Sequence, residues 1–134
     1  MIFIEEDHLL VQGVDLSQPM LERAQARSNQ VEFIRSDAAS FTPKQPYDLI
    51  FSRFGVMFFA QPVVGFSNIR TAMKSGAPLA FVCWQTPREN LWHSLAVATA
   101  KKFIEMPAAP EPRAPGPFAF ADTDYVTSIL TDAG

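Results

Sequence analysis

Val11-Gln12-Gly13-Val14-Asp15-Leu16-Ser17-Gln18-Pro19-Met20-Leu21 is the stretch on which the fold turns. Val11, Val14 and Leu16 favour an extended backbone, and Asp15 stands where the strand runs out. Ser17 is suited to cap a helix N-terminus, and Pro19 sits early in the first turn, where a missing N–H costs nothing. Met20, Leu21 and Ala24 continue as an apolar stripe at helical spacing. The stretch therefore reads as a buried strand ending on a carboxylate and passing directly into a helix. In a doubly wound sheet, a carboxylate at that strand tip can accept hydrogen bonds from both hydroxyls of a ribose. A strand end beside a helix cap, with no ligand, accounts for the same residues.

Outward from this unit, strand and helix patterns alternate. Upstream, Met1 to Ile4 reads as a strand and Glu5 to His8 as a turn into Leu9-Leu10-Val11. A parallel crossover needs at least about ten residues, so the two segments are expected to pair antiparallel, as a hairpin. Downstream, a helix is predicted from Met20 to Arg27. Val31 to Arg35 reads as a strand ending at Ser36-Asp37-Ala38, which places a second carboxylate just past a strand tip. Tyr47 to Ser52 is a compact apolar strand of the fully buried, parallel type, followed by the aromatic loop Arg53 to Phe59. Gln61 to Lys74 is helical, with Val63, Phe66, Ile69 or Arg70, and Met73 inward and Gly76 as its stop. Leu79 to Trp84 is another buried strand. Thr86-Pro87 opens a helix with Leu91, Leu95 and Ala98 on one side. Residues 107–117 form a Pro-rich connector, and Asp122 caps a last helix carrying Val126, Ile129 and Leu130. Strands alternating with helices argue an α/β fold: a Rossmann-like, mostly parallel sheet with helices on both faces, in a single domain over 1–134 with an atypical segment at 1–10.

Composition narrows the function classes. Of 134 residues, 48% are hydrophobic and 19% charged, as in a chain with a real core. A net charge of −3 argues against nucleic acid as a partner. The N-terminus carries acid where a signal peptide needs base, and no stretch approaches the ~20 apolar residues of a membrane span, so a cytoplasmic location without a membrane partner is expected. Cys83, the one cysteine, lies in an apolar run and reads as a small buried hydrophobe. No His, Cys or carboxylate pair has metal-ligand spacing, and no Ser lies in a nucleophile elbow, so neither a metal nor a catalytic residue is assigned. His93 reads as a structural or surface residue, and His8 is given no role.

Taken in order, these elements resemble the class I S-adenosylmethionine-dependent methyltransferases, in the type 11 or 25 domain subgroup. The carriers are Gly13-Val14-Asp15-Leu16-Ser17 with Met20-Leu21 and Ala24, then Asp37-Ala38, then Tyr47 through Phe59. Lys74-Ser75-Gly76 with Leu79-Ala80-Phe81, and Pro115 through Asp122, complete them. The resemblance implies S-adenosyl-L-methionine as cofactor and methyl transfer to a small-molecule acceptor. It implies that Asp15 holds the ribose hydroxyls and Leu16 lies on the adenine face. Asp37 and the Ala38 backbone would read the adenine, while Ser52 and Arg53 would line the methionine end. Phe54, Met57 and Phe58 would wall the substrate mouth, in an apolar surround suited to a dispersing sulfonium charge.

The chain departs from the family pattern in having only Gly13 in its first fifty residues, where the family places a Gly-rich loop. On that resemblance the first strand, its loop and the first helix are expected to be missing, and the far end to be short, so that the fold is truncated at both ends. Two further readings follow. One is an inactive remnant or partner subunit that self-associates, or completes its sheet with another chain, through exposed strand edges. The other is an NAD-dependent oxidoreductase fragment, whose ribose Asp15 would serve equally well.

Overall fold

The structure is a computed structural model that describes residues 1–5 and 10–134. The remainder of the expected turn up to His8, His8 included, lies outside the described residues. The strands are β1 (Ile2–Glu5), β2 (Leu10–Asp15), β3 (Val31–Arg35), β4 (Leu49–Arg53) and β5 (Leu79–Val82). The helices are α1 (Gln18–Gln25), α2 (Pro62–Thr71), α3 (Leu91–Ala100) and α4 (Thr123–Ala133), with a 3-10 turn at Val56–Phe58.

One five-stranded sheet has the order β3-β2-β1-β4-β5. β2 pairs parallel with β3, and β4 with β5. β1 lies between these pairs and runs antiparallel to both β2 and β4, with Ile2 opposite Gly13 on one side and Phe51 on the other. The expected hairpin is therefore present. The expectation of strand edges bared by a missing central strand does not hold: β1 occupies the centre, and the sheet's free edges are β3 and β5.

The chain leaves β2 for β3 through α1 and leaves β4 for β5 through α2, in opposite directions along the sheet. Two right-handed crossovers in opposite senses put the helices on opposite faces, and the side chains agree. Gly13 and Phe33 gather with Leu21 and Ala24 of α1 around a small cavity. Val14 and Ile50 join Phe66, Ile69 and Ile129 in the main core on the other face. Strand alternation thus sends neighbours Gly13 and Val14 to opposite layers. Glycine is needed at 13 because a Cβ there would stand 2.7 Å from the Phe33 ring.

Phe66 is the hub of the main core. Its ring meets Phe59 edge-on at 5.8 Å, Phe81 at 5.4 Å and Phe120 at 6.0 Å, joining the loop after β4, the sheet and the segment before α4. Helix α4 packs on α2, and its cap is as expected: the Asp122 carboxylate accepts the Asp124 and Tyr125 N–H groups at 3.0 and 3.1 Å. The N–H of Tyr125 first, with Arg113 assisting, holds the Asp122 carboxyl below its ordinary value.

Other local expectations shift for physical reasons. Ser17 stands at the N-cap of α1 but makes no side-chain cap; its own N–H donates to Asp15 Oδ1 at 2.8 Å instead. Helix α2 stops at Thr71, and Gly76 makes the later turn before β5 with φ +79°. The helix expected from Thr86 begins only at Leu91, because Asn90 Nδ2 donates to the Gln85 and Thr86 carbonyls and closes a separate turn. The side of α3 bearing Leu91, Leu95 and Ala98 faces solvent rather than the core. No helix among the described residues is long and apolar enough to cross a membrane.

Candidate functional site

The carboxyl ends of β2, β3 and β4 reach the same edge of the sheet, and a cavity of about 560 Å³ opens there. Ligands of open α/β sheets bind at such an edge, where neighbouring connections run in opposite directions. Asp15 closes β2, and Asp37 lies two residues beyond β3. Both border the cavity, with Leu16 and Ala38 beside them. Because β1 runs against its neighbours, its first residue rather than its last arrives at this edge. Met1 lines the cavity, and its ammonium donates to the Val14 carbonyl at 2.8 Å. Burial lowers the ammonium pKa, and the Asp15 charge opposes that shift.

Each acidic side chain is held by its own turn. Asp15 Oδ1 accepts the Ser17 N–H at 2.8 Å, and Asp37 Oδ1 accepts the Ala39 N–H at 2.8 Å. Both are Asx turns, which fix a carboxylate against its own backbone. The two strand tips are also tied together, because the Ser36 N–H donates to the Asp15 carbonyl and Arg35 Nε donates to that of Leu16.

Asn68, on α2, is the residue that the sequence did not point to. Its Nδ2 donates to the Ala38 carbonyl at 3.1 Å and to the Phe41 carbonyl at 2.9 Å, pinning the loop that carries Asp37 and Ala38. Nothing in the sequence distinguishes this Asn from any other polar residue on a helix, since its two acceptors lie some thirty positions away.

The opposite wall comes from the loop after β4. Phe54 has φ +57°, unusual for a bulky residue, and its ring stacks on Trp84 at 4.4 Å and 6°. Phe54 and Phe58 line the cavity, whereas Met57 is buried in the core. The loop can approach α2 because position 65 is glycine: a Cβ there would stand 2.6 Å from the Phe59 ring.

Ser52 and Arg53 lie outside the cavity wall. Ser52 is fully buried behind the loop, close to Gly55, and its Oγ has no hydrogen-bond partner among the described residues. Arg53 is exposed, with its guanidinium 5.5 Å from the Phe54 ring centroid. The His93 ring stands edge-on to Phe118 at 4.7 Å, away from the cavity lining. The structure thus brings together Asp15, Leu16, Asp37, Ala38, Phe54 and Phe58, and leaves Ser52, Arg53 and Met57 behind or beside them.

Comparison with known proteins identifies the family and the fold. Residues 2–76, more than half of the chain, match the family described as a methyltransferase domain. The trans-aconitate 2-methyltransferase of Rhizobium rhizogenes is 33% identical over 70 residues, which are 52% of this chain and 27% of that protein. A candidate methyltransferase from Bacillus halodurans superposes with a TM-score of 0.62 at 20% identity, over 92% of this chain and 52% of its own. The N-methyltransferase NodS of Bradyrhizobium japonicum, solved with S-adenosyl-L-homocysteine, gives 0.56 at 16% identity, over 90% and 52%. The two structures show the shared fold, and this chain spans about half the length of each. The chain belongs to the methyltransferase domain family, whose members use S-adenosyl-L-methionine.

Proposed function

We propose that the cavity at the tips of β2, β3 and β4 holds S-adenosyl-L-methionine, and that the chain serves methyl transfer to a small-molecule acceptor. One observation carries this reading: Asp15 and Asp37, at the tips of adjacent parallel strands, border the same cavity. Its volume of about 560 Å³ suits a nucleoside-sized ligand. The donor set fits the group. A carboxylate can accept from two vicinal ribose hydroxyls, a second can accept from an adenine amino group, and Leu16 offers an apolar surface to a purine face. When bound, the cofactor supplies an electrophilic sulfonium methyl.

The chain's own contribution is binding and placement. Asp15 and Asp37 orient the nucleoside through side chains already fixed by the Ser17 and Ala39 amides. Asn68 holds the adenine-side loop in place. Phe54 and Phe58 cover the far wall with rings that exclude water and suit a cation whose charge disperses. Positioning of this kind supplies much of the rate in a displacement that needs no enzyme-bound intermediate.

Calorimetry with S-adenosyl-L-homocysteine tests the reading, with NAD as the control. Saturable binding of the homocysteine compound alone is expected. Asp15→Ala removes charge-assisted hydrogen bonds worth about 1.5–3 kcal/mol each, so affinity should fall by about ten-fold or more with the fold intact. Equal affinity for NAD, or no change in the variant, would refute the assignment. Trans-aconitate, carried in the name of the Rhizobium rhizogenes relative, is the first acceptor to assay.

A further inference from the structure

We infer that the outward face of α3 pairs with the same face of a second copy of this chain. The helix has no charged residue on any side: from Asn90 to Ala100 the sequence holds no Asp, Glu, Lys or Arg. A helix that is apolar all round is normally enclosed, yet no residue of α3 is buried. Its half-buried side is His93, Ser94, Val97 and Ala100, while the larger apolar residues point outward. Leu91 is 65% exposed, Trp92 57% and Leu95 64%, and Phe103, just beyond the helix, is 81% exposed. The polarity of this helix is inverted relative to the body it is attached to.

The area is right for a second copy. Large side chains offer about 150–250 Å² each when free, so these four, with Ala96, Ala98 and Thr99 beside them, present roughly 700 Å². That exceeds the few hundred Å² of apolar patch usual on a monomer and approaches the about 800 Å² that each partner contributes to a standard interface. The helix itself offers nothing to a charged partner, Lys101 and Lys102 beside Phe103 standing past its end, and the net charge of −3 disfavours an anionic lipid surface. An apolar stripe is, however, complementary to itself, as a two-fold interface requires.

The pairing also reaches the cavity. Trp92 meets Trp84 at 5.2 Å, and Trp84 stacks on Phe54 of the cavity wall, so one residue of the paired face is two rings away from the site.

Sedimentation velocity on the whole chain, from about 1 to 100 µM, tests this. The expected result is a dimer at the upper concentrations that Leu91→Lys and Leu95→Lys each convert to monomer, with unchanged circular dichroism and, at about 1 µM where every variant is monomeric, an unchanged melting temperature. Both side chains lie outside the core, and two separate variants guard against a local misfold in either. Val82→Lys, on the uncovered sheet face (46% exposed), should leave the dimer in place. A wild-type monomer at 100 µM, a dimer unaffected by both α3 variants, or a dimer lost in Val82→Lys alone would overturn the inference. So would a monomer that pelleted with neutral phospholipid vesicles.

Discussion

Replacing Asn68 separates the loop that carries Asp37 from the helix that holds it. In Asn68→Ala, two hydrogen bonds disappear together, those to the carbonyls of Ala38 and Phe41 at 3.1 and 2.9 Å. Each contributes about 0.5–1.5 kcal/mol net, and the site is partly buried, so a loss of about 2 kcal/mol is expected. For a chain of this size that lowers the melting temperature by about 6–10 °C. Asn68→Asp keeps the shape but turns a donor into a carboxylate facing two carbonyl oxygens, and its cost at pH 7 should exceed that of alanine. Below about pH 4 the protonated carboxyl can donate once, so the gap between the two variants should close. Urea unfolding at both pH values, followed by far-ultraviolet circular dichroism, reads this order directly. Both variants unfolding within about 0.3 kcal/mol of the wild type would show that Asn68 does not hold the loop.

Three further outcomes follow. Gly65→Ala drives a methyl to within 2.6 Å of the Phe59 ring, which Phe66 backs edge-on, so about 1–3 kcal/mol of stability should be lost and seen in the urea midpoint. Burial pushes the Cys83 thiol up to about 11, so iodoacetamide at pH 8 should label the folded chain far more slowly than the urea-unfolded chain; equal rates would contradict the packing. The folded Asp122 carboxyl is held below its unfolded value, so its contribution is complete above about pH 4 and lost as pH falls through the folded value. Asp122→Asn, which keeps a capping oxygen but does not titrate, should therefore flatten part of the acid limb of a stability–pH curve.

The parts of this fold that were legible in the sequence are those where neighbours along the chain decide the structure. Val31–Arg35 falls where its alternation places it, and the Asp122 cap is formed as the spacing of Asp122, Asp124 and Tyr125 requires. Asp15 and Asp37 were legible as residues at the sheet edge, where both border the cavity, because a strand tip puts its next side chain there whatever the rest of the chain does. Distant partners hid the remainder. Asn68 acts on Ala38 and Phe41, some thirty positions away. Met57 was grouped with Phe58 by sequence, but the 3-10 turn sends one into the core and the other to the cavity. The apolar stripe of α3 pointed to a helix and to one side of it, but not to whether that side is covered, because periodicity identifies a face without saying what packs on it.

The central claim is that Asp15 grips the nucleoside of an adenosyl cofactor at the strand tips, and a crystal structure with S-adenosyl-L-homocysteine tests it most directly. The account predicts both ribose hydroxyls within hydrogen-bonding distance of the Asp15 carboxylate, with the adenine between Leu16 and the Asp37–Ala38 loop. A nucleoside bound elsewhere, or an Asp15 carboxylate engaged only by the Ser17 amide with the ligand in place, would contradict it.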